Sequence, residues 1–378
     1  MTKAISQTGA TVILVLLVLA AAVLAPAAPL AAQQRAQPPE REFEGEVTVS
    51  EVLLDVLVTD KKGQVIIGLG PDDFVVRENG EEVPITGVTF YSNSRFVEPG
   101  DSAQAKGLEI DRVPVDRYFV LFFHDQRRDF APRAFQTERQ LLDAARKASE
   151  WVLNEMLPTD WVAVASYDVK LRLQQDFTHD KQALLSALDD AAVSKGGENW
   201  PSRIGEGDGP SLAQSLPQGK ALSKETRTIY EALTLLAEAA GEVVGRKNLV
   251  LFSRGFGDVG PGGVYQPDPR YYGDMEQALN DNNVAVYSVD LTPSEVDHTM
   301  AAALNQLAAE TGGRYYFNFT TFAIPLRRIA DENSGYYLLS YESRRPAGES
   351  GFQKVEVETT NPAFDVSARK GYAYGEGS

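Results

Sequence analysis

Arg117-Tyr118-Phe119-Val120-Leu121-Phe122-Phe123-His124-Asp125 is the stretch whose reading decides the fold. Its six apolar or aromatic residues, Tyr118 to Phe123, make a run of strand length rather than helix length. A continuous apolar strand is covered on both faces, as a central strand of a parallel sheet is. The run stops at a polar cluster, His124 to Asp129. In an open α/β sheet, ligands bind at the carboxyl ends of the strands, so an acidic residue on the last step of a buried strand is a candidate ligand group.

Downstream, strands and helices alternate. Leu141, Ala145, Ala148, Val152 and Met156 recur at steps of three and four, predicting an amphipathic helix ended by Pro158. Trp161 to Tyr167 and Leu171 to Phe177 read as strands, and Lys181 to Val193 as a helix. Residues 194–227 are Gly-, Pro- and Ser-rich without periodicity, too long for a routine connection, and loops of that kind are functional or lack fixed structure. Ile229 to Val243 is helical, and Leu249 to Phe252 is the next strand, followed by a second glycine-rich loop from Gly255 to Tyr272. A short helix, Met275 to Asn282, leads to the strand Val284 to Val289, which ends at Asp290; a helix from Thr299 to Glu310 and a strand from Arg314 to Phe317 complete the set. This rhythm predicts βαβ units, a parallel sheet and helices on both of its faces.

Both ends of the chain read differently. Val52, Leu54, Val56 and Val58 alternate with residues of the opposite face, and Val65 to Ile67 continues the β texture. Asn79-Gly80, between Phe74–Arg77 and Val83–Ile85, is a strong hairpin signal. Residues 96–116 read as a linker. From Tyr336 onward the chain is β again, with antiparallel strands expected at 336–341, 352–358 and 364–368. Two partial β regions of about three strands are each marginal alone. The economical solution pairs 45–95 with 335–375 in one β-sandwich and inserts an α/β domain, 117–334, between them.

The 378 residues suffice for two domains. The net charge of −17 argues against nucleic acid and anionic membrane surfaces as partners. With Lys3, the apolar run from Thr11 to Ala25 and the small residues that follow, residues 1–32 have the layout of a secretory signal peptide, and 33–44 that of a flexible leader. The run is shorter than the roughly 20 residues of a membrane span. The expectation is therefore a secreted or periplasmic protein, with an uncleaved N-terminal anchor as the alternative. There are no cysteines, which removes disulfides, thiolate metal sites, cysteine nucleophiles and lipidation through an N-terminal cysteine.

Taken together, these residues resemble the von Willebrand factor type A family, and over 45–374 the exported von Willebrand factor A-related proteins common in Acidobacteria. The likeness rests on Val56–Gly63, Asp72-Asp73-Phe74, Glu78-Asn79-Gly80, Asp160 to Val164, Gly245-Arg246-Lys247, Val286 to Asp290, Thr311 to Arg314, Tyr336 to Tyr341 and Arg369 to Tyr372. The resemblance implies a Rossmann-like, doubly wound sheet and a protein-binding role. It also implies a metal-ion-dependent adhesion site: Asp-x-Ser-x-Ser after the first strand, Thr on a second loop and Asp on a third, holding Mg²⁺ with one position open for a partner's carboxylate.

Here the first loop reads Asp125-Gln126-Arg127-Arg128-Asp129, so Arg127 and Asp129 stand where the family has serines. Thr228 matches the second-loop threonine, Arg254 replaces the third-loop acid, and Asp258 lies near it. Two expectations follow: a divalent site of Asp125, Asp129, Thr228 and Asp258, or a metal-free cluster in which arginines satisfy the aspartates. Arg127, Arg254 and the pair Tyr271-Tyr272 are candidate partner contacts at the same edge. The leading expectation is a non-enzymatic module for a protein partner. Its rivals are a metal-assisted hydrolase built on the Asp125 cluster and a structural envelope protein with a vestigial site. The hydrolase lacks a recognisable base, since His124, His179 and His298 form no spaced pair and Ser253 lacks a full nucleophile-elbow sequence.

Overall fold

The chain enters its fold through β1 (Val47–Thr59), whose alternation buries Val52, Leu54, Val56 and Val58 and leaves Leu53 half exposed. β2 (Phe74–Glu78) and β3 (Glu81–Val83) form the expected hairpin, with Asn79 and Gly80 at φ 52° and 87° supplying the two left-handed residues of a tight turn. β4 (Ile85–Ser92) follows. β5 (Glu109–Asp111) then pairs with β4 in parallel, so the region read as a linker contains a strand. Three residues are too few to show a period. Val65 makes only an isolated bridge to Thr59, not the continued strand expected there.

This computed structural model describes residues 47–92, 109–111, 116–126, 134–193, 209–259, 265–292, 300–346 and 350–375. The expected signal peptide and leader lie outside these residues, as do Arg127, Asp129 and His298.

The apolar run at 118–123 is the core of β6 (Arg117–His124). After it come α1 (Ala134–Asn154), β7 (Asp160–Tyr167), β8 (Leu171–Thr178), α2 (Lys181–Ala192), α3 (Lys220–Glu225), α4 (Ile229–Ala240) and β9 (Lys247–Ser253). The two-residue ribbon of β10 (Asp258–Val259) and β11 (Tyr265–Gln266) precedes α5 (Tyr272–Asp281). β12 (Val284–Asp290), α6 (Ala301–Glu310), β13 (Tyr315–Tyr316) and α7 (Ala323–Glu332) complete the region. The sheet order is β13-β12-β9-β6-β7-β8, parallel except for β8. The three residues between β7 and β8 are too short for a parallel crossover, which makes that pair an antiparallel hairpin, so the sheet expected to be parallel is mixed at this edge. Phe119, Leu121 and Phe123 pack under α1, α2 and α7, while Val120 and Phe122 pack under α4, α5 and α6. Both faces of β6 are therefore dry, as its composition requires.

Two parts of this region differ from expectation. Residues 209–225 are packed: Leu212, Leu216 and Leu222 are buried, and the buried Asp176 carboxylate accepts hydrogen bonds from Leu212 N, Ala213 N and the Ser211 hydroxyl. Helix α7 was not anticipated because Pro325 interrupts its pattern, although a proline in the first turn removes no intrahelical bond.

From α7 the chain returns as β14 (Gly335–Pro346), β15 (Gly351–Thr359), β16 (Asp365–Ser367) and β17 (Gly371–Tyr374). β14 lies between β1 and β4, with Val47 opposite Pro346 and Val56 opposite Tyr337. The sandwich sheets are β16-β1-β14-β4-β5 and β17-β15-β2-β3, so each mixes strands from both ends of the sequence. Between them Glu78 is buried, with no cation paired to it among the described residues. Its carboxylate accepts from the Tyr341, Ser343 and Tyr372 hydroxyls at 2.6–3.0 Å.

Gly45–Ser378 is one compact unit, and the amino edge of the α/β sheet is welded to the sandwich. Arg117 grips Asp160 with Nε and a terminal nitrogen at 2.6 and 2.7 Å, both side chains buried. Lys247 donates to Val243 O, and burial lowers its pKa to about 8 despite the field of Asp55 on β1. Asp55 accepts from Asn283, Ser367 donates to Gly312 O, and the Asp281 carboxylate accepts from Ala373 N.

Candidate functional site

The parallel strands end in one row. The register places Asp290 opposite Ser253, Phe252 opposite Phe123, and Tyr167 opposite His124. Reading outward from the first strand, the sheet order is that of a doubly wound fold whose direction of growth reverses between β6 and β9. That reversal opens the crevice where such folds hold ligands.

Here the crevice is filled. His124 Nδ1 and the Ser253 hydroxyl lie 2.9 Å apart, both buried. Gln126 reaches over them, donating to Gly255 O at 2.6 Å and accepting from Arg254 N at 3.0 Å. Gly255 N donates back to the Ser253 hydroxyl at 3.0 Å. Gly255 sits at φ 101°, and an added Cβ would strike Met300, which explains the glycine. The buried Arg254 guanidinium donates to the Thr137 hydroxyl on α1 at 3.1 Å. Burial drives the His124 pKa down to about 4, outweighing the field of Asp125, so the imidazole is neutral at pH 7.

A serine and a histidine in contact are the pair that acyl transfer uses. This pair is not set up for it. The Ser253 side chain is fully enclosed, and the two amides after it, where an oxyanion needs donors, are already spent on Gln126 and on Ser253 itself. The contact is a latch. Sequence reading missed it because the residues are 129 apart and meet only when β6 and β9 are neighbours.

The residues expected to hold Mg²⁺ are placed as follows. Asp125 is buried at the end of β6, its backbone N–H bonded to Tyr167 O. Thr228 is the N-cap of α4, and its hydroxyl donates to Glu231 Oε2 and accepts from Glu231 N in a capping box. Asp258 is exposed on the β10–β11 ribbon. Arg254, opposite to expectation, is an internal tie and not a partner contact. Of the aromatic pair, Tyr272 is buried with its hydroxyl on Glu310, while Tyr271 is partly exposed and stacks on Tyr230. Among the described residues no three His, Cys, Asp or Glu side chains are grouped to hold a metal ion. A hydroxyl engaged in a cap and a crevice filled by Gln126 and Arg254 do not fit a resident divalent cation.

Beside the latch the edge is open. A cleft of about 960 Å³ runs between α1 and the turns after β12 and β13. Gln136, Arg139, Gln140 and Leu142 form its helical wall, and Asn318 to Thr321 the other. At its floor the Asp290 carboxylate accepts from Thr292 N at 2.7 Å and from the Tyr315 hydroxyl at 2.6 Å.

The fold is of the von Willebrand factor A type. No protein-family model and no curated protein sequence matches the chain. Solved structures do match. The human COPII-coat protein Sec24c shares 12% identity at a TM-score of 0.34 over 69% of this chain, which spans only 44% of that protein. The manganese-loaded TRAP protein of Plasmodium vivax shares 10% at 0.34, covering 68% of this chain and 93% of that one. The vWF domain of the type V pili tip protein Mfa5 from Porphyromonas gingivalis shares 11% at 0.32, over 58% and 95%. At these values the likeness adds nothing to what the strand order shows. No helix among the described residues is long and apolar enough to cross a membrane.

Proposed function

We propose that this chain is an exported, non-catalytic protein-binding module whose ligand face is the carboxyl edge of its von Willebrand factor A-like sheet, working without a resident metal. The observation that carries the reading is the contrast at that edge. The crevice at the switch point is plugged by its own His124, Gln126, Ser253 and Arg254, while the neighbouring cleft between α1 and residues 318–322 is open. Export is supported by the signal-peptide layout of residues 1–32. The sandwich, which contacts the amino edge, leaves the opposite edge as the face to present.

Photocrosslinking tests the reading. A benzophenone side chain at Thr320 is expected to capture a discrete protein from an extract of the producing cells, and one at Thr86, on the sandwich, is not. Equal labelling from both positions would remove the carboxyl edge as the binding face. Calorimetric titration of the purified chain with Mg²⁺ or Mn²⁺ is expected to give no saturable heat. Saturable binding that disappears in Asp125→Ala would overturn the metal-free assignment.

A further inference from the structure

We infer that the cleft beside the latch receives an extended peptide segment bearing a carboxylate, and that the Arg139 guanidinium takes that carboxylate without a metal. The inference rests on the carboxyl edge being the binding face.

The charges of the cleft lead to it. Asp143 is paired with Arg146 on the same helix, and the two oxygens of Asp290 accept from Thr292 and Tyr315. Arg139 is exposed on the wall and has no ion-pair or hydrogen-bond partner among the described residues. In a chain of net charge −17, a cation left over in a cleft is complementary to an incoming anion. A guanidinium matches a carboxylate with two parallel N–H donors, which supplies both strength and direction.

The rest of the lining matches a peptide better than a small acid. Gln136, Gln140 and Asn318 carry carboxamides that donate and accept, as pairing with a peptide backbone requires. Leu142, 45% exposed, and the partly buried Phe319 offer apolar contact between them. Along α1 the wall runs from Gln136 to Arg146, about 15 Å at 1.5 Å per residue. That length matches about four to five residues of extended chain.

The test is selection of a random heptapeptide phage library on the purified chain in buffer containing EDTA. The expected result is enrichment of peptides with Asp or Glu. Their affinity should fall about tenfold or more in Arg139→Gln and by less in Arg139→Lys, which keeps the charge and loses the fork. Arg139 is exposed, so thermal melting of both variants should match the parent. Peptides that bind, are blocked by Thr320→Trp and ignore Arg139→Gln would overturn the inference and leave the carboxyl-edge reading standing. Enrichment without acidic residues, no enrichment, or displacement of the peptides by glutarate at the same concentration would each overturn it as well.

Discussion

The two edges of the α/β sheet are built from the same strands and solve opposite problems. At the amino edge a full ion pair is buried, Arg117 with Asp160, and the buried Lys247 lies in the field of Asp55 on the sandwich. At the carboxyl edge a histidine, a serine and a glutamine close on one another beside the buried Asp125 and Arg254, and an arginine is left at the surface beside them. A buried ion pair loses most when one member is removed. A neutral latch responds instead to pH. The amino edge is where the chain is anchored, and the carboxyl edge is where it is tunable.

Breaking the amino edge should have the largest effect. Asp160→Ala leaves Arg117 buried without its partner and Leu157 N without its acceptor, and should destabilise the protein by about 3–5 kcal/mol in urea unfolding. A loss below about 1 kcal/mol would mean that the pair is hydrated and the edges are less distinct than described.

The carboxyl edge should show itself through pH. His124 has a folded pKa of about 4, below the 6.5 of an unfolded histidine, so the unfolded chain binds more protons between these values. The stability from the neutral latch is complete above pH 6.5 and is lost as the pH falls toward 4, about 3 kcal/mol across the window. His124→Gln should flatten that part of the stability profile. An unchanged slope would assign the acid sensitivity to other groups.

The smallest effect sharpens the metal question. Thr228→Ala removes a helix cap and should cost about 1 kcal/mol. The deficit should be the same with Mg²⁺ or with EDTA. A deficit that grows in Mg²⁺ would return Thr228 to the role of a ligand.

Much of the fold was legible because its signals are local. Tyr118 to Phe123 announces a doubly covered strand, Val52 to Val58 a one-sided one, and Asn79-Gly80 a hairpin whatever the surroundings. The incompleteness of the two β regions pointed to their union. What escaped depends on neighbours that a sequence does not display. The buried leucines at 212, 216 and 222 have no common period, and the Asp176 carboxylate that orders their segment lies 35–37 residues away. His124 and Ser253 are unremarkable until strand order makes them adjacent. Thr228 fits the adhesion-site pattern by position, yet Glu231 three residues later claims its hydroxyl for a cap. Arg139 looks like any charge on a helix surface until a turn from residue 318 onward rises opposite it.

The interleaved sandwich also sets an order of events for biosynthesis. β1 is complete at Thr59, but the strand beside it, β14, begins at Gly335. At about 5–20 residues per second, the emerging chain carries an unmated hydrophobic strand for roughly 15–60 s. The inserted domain can fold during that interval, and in doing so it brings the ends of the chain together. The sandwich is then the last piece to close, and its edge strands are the segment most in need of a chaperone until it does.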